Sequence, residues 1–137
     1  MKEFPIPVPQ DSKDLLDEFV VLEKEAFDFG FYWTKIGEIF DQIQSETLEV
    51  KEAFDAQDFP HLQEEIGDLM CAVLSLSVFC GCDPHDMLRL NLHKFKERFD
   101  EVRRLVAQEG RSNLKGQSIE VMLTYWRRAK ENCSQKH

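Results

Sequence analysis

Ser45-Glu46-Thr47-Leu48-Glu49-Val50-Lys51-Glu52-Ala53 is followed, after a short link, by Glu64-Glu65-Ile66-Gly67-Asp68 and the apolar run Leu69 to Cys80. Each segment carries a pair of acids three residues apart, which places both carboxylates on one face of a helix. Around the first pair, Ile36, Phe40, Ile43, Val50 and Phe54 recur at helical spacing. On a wheel of roughly 100° per residue, Glu46 and Glu49 flank that stripe. Glu65 and Asp68 open the most apolar helix of the chain.

Helical spacing continues on both sides, and no segment shows the sustained alternation of a strand bounded by hairpin turns. A first helix is expected from Asp11 or Ser12, presenting Leu15, Phe19, Leu22 and Ala26 on one face and ending at Gly30. The third begins around Asp58 to Pro60 and stops at Gly81. Asp83-Pro84 is a strong start signal for a fourth, with Leu88, Leu92, Phe95, Phe99, Val102 and Val106 expected inside and an end near Gly110. Ser118 caps a fifth, with Ile119, Leu123 and Trp126 facing inward. The expected fold is therefore all-α, a bundle of about five helices. The 137 residues suit a single domain, residues 1–137, with an extended arm over 1–10 and a helical core over 11–132. The third helix, apolar nearly all round from Leu69 to Cys80, calls for cover from a second subunit.

Composition narrows the function. A formal charge of −9 argues against a nucleic-acid partner, which requires clustered Lys and Arg. The longest apolar stretch is about half of what crosses a bilayer, and Met1 to Gln10 lacks the apolar core of a signal peptide. A soluble, cytoplasmic protein without a membrane partner is expected. Four cysteines, Cys71, Cys80, Cys82 and Cys133, form no CxxC pair, so reduced thiols are expected, with Cys71 and Cys80 packed as small hydrophobes.

Four carboxylates converging beside a core repel one another unless a cation offsets their charge. Oxygen-only ligation suits Mg²⁺, Mn²⁺ or Ca²⁺. A di-iron bundle needs Glu-x-x-His pairs; neither acidic pair supplies one, and of His61, His85 and His93, which follow Asp58, Cys82 and Leu90 at that spacing, only Asp58–His61 could mimic it, at a helix start set by Pro60. A lone ExxE is most often a solvated helix face; two on consecutive helices beside apolar residues weaken that explanation. On the fourth helix Asn91, Lys94 and Arg98 fall at i, i+3 and i+7, a spacing that suits phosphate oxygens as well as ordinary surface charge.

In this order the segments resemble the MazG signature, an ExxE, a gap, and an ExxD, with Lys94-Phe95-Lys96-Glu97-Arg98 similar to the family's K-x-x-x-R segment. The tail from Ser118 through Trp126 to Lys130 is similar to the close of many MazG domains. Tyr32-Trp33-Thr34-Lys35 resembles a Trp-Asp-Lys stretch of bacterial members, with Thr34 in place of the acid. The resemblance implies an all-α dimer or tetramer that hydrolyses a nucleoside triphosphate to the monophosphate and pyrophosphate, as nucleotide-pool housekeeping. It implies Glu46, Glu49, Glu65 and Asp68 as catalytic ligands of Mg²⁺, with Mn²⁺ as the alternative, and a further acid such as Glu64 available to accept a proton. Lys94 and Arg98 would then neutralise phosphate charge, while Asn91 and Trp33 complete the substrate-binding set. The competing expectations are an enzyme of the same superfamily selective for dUTP or dCTP, and a non-catalytic helical oligomer that binds metal or nucleotide.

Overall fold

The computed structural model describes residues 2–135; Met1, where the expected arm begins, lies outside them. Among the described residues there are five helices and no strand: α1 (Leu15–Phe29), α2 (Ile36–Asp55), α3 (Phe59–Phe79), α4 (Pro84–Gln108) and α5 (Ile119–Ser134). The chain divides into two compact units, Met1–Met87 and Leu88–His137.

Short polar side chains set the helix starts by accepting from backbone N–H groups that lack an intrahelical partner. Asp14 accepts from Asp17 N at 2.9 Å, and Ser118 from Val121 N at 3.3 Å. Asp83 accepts from His85 N at 2.8 Å. Thus α1 begins three or four residues later than the expected Asp11 or Ser12, because Asp14 provides the cap. α2 starts differently: Glu38 reaches back to accept from Thr34 N and Lys35 N at 3.0 and 2.8 Å. Gly30 closes α1 with φ +97° and Gly81 follows α3 with φ +74°, a left-handed backbone that side-chain-bearing residues rarely adopt.

In the first unit α2 packs against α3, and Ile6 of the N-terminal arm joins Val20 of α1 and Val78 of α3 in one buried cluster. The start of α1 is tied to that of α4 by His85, whose Nε2 lies 2.9 Å from Asp14 Oδ2 and 3.5 Å from Asp17 Oδ1. In the second unit Val102, Leu105 and Val106 of α4 pack on Tyr125 and Ala129 of α5. Polar links extend that seam: Glu109 accepts from Tyr125 Oη and Arg128, and Glu101 from Asn132.

Several expected inward faces are rotated. On α1, Leu15 and Leu22 are exposed, whereas Phe19, packed on the buried cluster, and Ala26 are half-buried as expected, and Leu16, Val20, Glu23 and Phe27 also turn inward. On α2 the buried line is Ile39, Glu46 and Ala53, while Ile36, Phe40 and Phe54 are exposed. On α4, Leu88, Leu92, Phe95 and Phe99 are exposed and only the C-terminal part of the expected stripe, Val102 and Val106, is buried. On α5, Ile119 and Leu123 are exposed, Trp126 is half-buried, and Tyr125, Ala129 and Cys133 are inside. Cys71 and Cys80 are exposed rather than packed, although all four thiols are free as expected. The common physical reason is that a wheel centres its stripe on the largest side chains. A single chain of this size buries only the narrower line that meets a neighbouring element.

Ile39 has no exposed surface. Truncation there removes buried methyl groups and leaves a cavity, so Ile39→Ala should destabilise the chain by about 2–5 kcal/mol. Phe54→Ala, at an exposed position of the same helix, should cost far less in chemical denaturation of the isolated chain. Equal losses would show that the seam is not where the structure puts it.

Candidate functional site

The buried line of α2 carries an acid at its centre. Glu46 stands seven residues from both Ile39 and Ala53, two helical turns each way, and so falls on the same line. On α3 the buried positions are Glu65 and Val78. Packing α2 on α3 therefore brings two buried carboxylates together, with half-buried Glu49 one turn beyond Glu46. Carboxylate oxygens of Glu46, Glu49 and Glu65 all lie within 4.8 Å of one another. Asp68 is exposed and falls outside that triad, although its charge acts on both Glu46 and Glu65.

These groups disfavour one another's ionisation. Contact with the Glu49 carboxyl, then burial, then the charges of Glu49 and Asp68 hold Glu65 up to about 7, against a partial offset from His61. Burial, followed by Glu49, likewise raises Glu46. Two oxygens, Glu46 Oε2 and Glu65 Oε2, are buried without a hydrogen-bond partner. An acceptor in that state carries an uncompensated desolvation cost. Gln42, one turn before Glu46, donates to its other oxygen. A hard divalent cation fits this donor set: it prefers carboxylate oxygen, and two unpartnered oxygens are present to meet it.

His61 was not anticipated. Its Nε2 lies 3.5 Å from Glu65 Oε1. The Glu-x-x-His spacing used to look for histidine ligands cannot find a residue four positions before the acid. An i, i+4 scan backward from Glu65 would have found it. The remaining expected residues are placed as follows. Lys94 and Arg98 line a cleft of about 310 Å³ in the second unit with Glu97, Cys133 and Ser134. Asn91 is exposed on α4. Trp33 lies in the loop between α1 and α2 and lines a cleft of about 290 Å³ in the first unit.

Among the described residues the fold is all-helical, and its second and third helices bury facing carboxylates. Residues 36–115 match the MazG nucleotide pyrophosphohydrolase domain family. The chain is 35% identical over 109 residues to the nucleoside triphosphate pyrophosphohydrolase/pyrophosphatase MazG of Thermotoga maritima, covering 80% of this chain and 41% of that protein. It is also 35% identical over 111 residues to the nucleoside triphosphate pyrophosphohydrolase of Escherichia coli K12, covering 80% of this chain and 42% of the relative. The chain belongs to the MazG family, and it spans about two fifths of the length of these relatives.

The raised carboxyl gives stability a sign. With no cation bound, Glu65 keeps its proton up to about pH 7 in the folded state, whereas an unfolded glutamate releases it near the ordinary 4.3 or so. Between those values the folded state binds more protons, so stability falls as pH rises. In EDTA the melting temperature should fall from about pH 5 to about pH 7.5, and Glu65→Gln should flatten that fall. The His85–Asp14 pair, which raises His85 and lowers Asp14, weakens in the same direction but is common to both proteins. Parallel curves for the two would remove Glu65 as the source.

Proposed function

We propose that the chain hydrolyses a nucleoside triphosphate to the nucleoside monophosphate and pyrophosphate, in a magnesium-dependent reaction that clears nucleotides from the cytoplasmic pool. The observation that carries this reading is the Glu46–Glu49–Glu65 cluster with its two unpartnered buried oxygens, inside the stretch that matches the family. Both named relatives are nucleoside triphosphate pyrophosphohydrolases. Among the described residues no single helix is long and apolar enough to cross a membrane.

Glu46, Glu49 and Glu65, joined by the exposed Asp68 one turn on from Glu65, would hold Mg²⁺, with Mn²⁺ as the alternative; His61 adjoins Glu65. When bound, the cation supplies charge neutralisation at phosphoryl oxygens and a more acidic water. The carboxylates give up the proton that their crowding retains, so affinity for the cation rises with pH up to about neutrality. Attack of water on phosphorus breaks the bond to the pyrophosphate leaving group. The proton lost by that water has carboxylates to accept it: those of the cluster and exposed Glu64 on α3. Lys94 and Arg98 neutralise the charge that gathers on pyrophosphate, with Asn91 one turn before Lys94 and two before Arg98 on α4. Trp33 offers its ring to the base.

The exposed apolar faces support assembly into a homodimer or homotetramer. Met70 and Val73 on α3 of the first unit, and Leu88, Leu92, Phe95 and Phe99 on α4 of the second, are all exposed in the single chain, apolar side chains that a second copy would cover. Sedimentation should give a dimer or larger; a stable, active monomer at micromolar concentration would contradict the assembly.

With Mg²⁺, chromatography of the products should show monophosphate and pyrophosphate from at least one triphosphate. Diphosphate and orthophosphate as the primary products would refute the reaction. Glu49→Gln should lower turnover by more than the roughly 100-fold typical of an outer-shell ligand partner, with helical content intact. Lys94→Ala or Arg98→Ala should lower it by about 10²–10³ while leaving magnesium affinity without nucleotide nearly unchanged. Equal loss of magnesium binding in both kinds of variant would break this division of roles.

A further inference from the structure

Ile39, Gln42, Glu46, Glu49 and Ala53 follow one another at alternating steps of three and four residues, the spacing that keeps a helix turned to one neighbour. That neighbour is α3. Ile39, Glu46 and Ala53 are buried; Gln42 and Glu49 are half-buried. An apolar side chain at position 42 would pack on this seam without a polar partner. A glutamine needs one, and Gln42 finds it one turn on: its Nε2 donates to Glu46 Oε1 at 2.5 Å, a pairing that four-residue spacing on a helix supports.

This bond divides the two oxygens of Glu46. Oε1 is held by the amide, while Oε2 is buried and has no hydrogen-bond partner. The same division recurs across the seam on Glu65. Its Oε1 lies 3.5 Å from Nε2 of His61, again one turn earlier on its own helix, and its Oε2 is likewise buried and unpartnered. His61 is exposed and its contact is longer, so the tighter hold is at Glu46. A glutamate free to turn can offer a cation one oxygen or both. Glu46 offers Oε2 alone unless the bond from Gln42 is shared or broken, and breaking it leaves a half-buried N–H unpaired.

Cations that take oxygen ligands differ on this point. Mg²⁺ demands a near-ideal octahedral shell, which the narrow bite of a chelating carboxylate distorts. Ca²⁺ accepts more ligands in a looser shell and often takes both oxygens of one carboxylate. We infer that Gln42 is a positioning residue that holds Glu46 to a single ligand oxygen, Oε2, and thereby biases the acid cluster toward a small octahedral cation, Mg²⁺ or Mn²⁺, over Ca²⁺. Gln42 acts through Glu46 and does not itself touch the cation. This role rests on the reading of Glu46, Glu49 and Glu65 as cation ligands given above; it requires nothing of the nucleotide or of the reaction.

Calorimetric titration with magnesium chloride and with calcium chloride, in the absence of nucleotide, gives the ratio of the two dissociation constants. Heat that survives in Glu65→Gln arises outside the cluster and is subtracted. Gln42→Met keeps the length and helix preference of the side chain but removes its donor. In that variant the ratio should shift toward Ca²⁺ by about tenfold, the scale of one hydrogen bond to a charged group, at unchanged helical content. Gln42→Ala, which cannot crowd the seam, should give a shift of the same direction and size. A uniform loss of affinity is what a purely structural role would produce. A shift toward Ca²⁺ of less than about threefold in a folded variant, well under the scale of that bond, overturns the role of Gln42 and leaves the cation site standing. If neither cation binds in a manner that depends on Glu65, the role and the metal site fall together. A shifted ratio without release of pyrophosphate from any triphosphate would instead refute the reaction and leave Gln42 in its role.

Discussion

The structure of the first unit depends on a repulsion. Packing α2 on α3 buries Glu46 and Glu65 on facing lines and adds Glu49 beside them, so that the seam holding two long helices together contains the least compatible charges in the chain. Ordinary seams are apolar because burial of a charge without a partner is expensive. Here the apolar residues Ile39 and Ala53 are spaced above and below the acid and hold it in place. The site is thus supported by the packing that it strains, a usual arrangement where a fold gives up local stability to keep a binding function.

That constraint explains why the acids were easier to recognise in the sequence than the cores around them. The i, i+3 pairing of Glu46 with Glu49 and of Glu65 with Asp68 is a covalent fact of the chain and survives any rotation of the helix. The five helices were legible for a similar reason, because Gly30, Asp58, Gly81, Asp83-Pro84 and Ser118 act on backbone groups next to them in sequence. Which face turns inward is decided by a neighbour far along the chain. The wheel therefore placed Glu46 at the flank of an Ile43–Val50–Phe54 stripe, whereas it lies in the middle of the Ile39–Ala53 line. Asp68 shows the opposite limit: its spacing matches Glu65, but the inward direction favours Glu65 and leaves Asp68 exposed.

His61 and Glu23 were illegible for different reasons. His61 acts at i, i+4 on Glu65, a local relation that was sought at the wrong spacing. Glu23 is one of 26 acids in the chain, and no local pattern distinguishes it. Only its bond to Ser75, 52 positions away, separates it from a solvated glutamate. The second unit repeats the lesson, since Glu101 and Glu109 take their partners on α5 at Asn132, Tyr125 and Arg128.

The position of Cys71 on α3 has a chemical corollary. The thiol is surface-exposed, which ordinarily marks a cysteine open to oxidation or alkylation. Partial burial of its sulfur and the negative neighbours Asp68 and Glu23 hold its pKa above the ordinary value. Since the thiolate is the reacting species, the acidic surroundings that suit a cation also keep this cysteine protonated at neutral pH. Fewer thiolates form at this sulfur than at an unperturbed cysteine, which slows its reaction with peroxide or an electrophile.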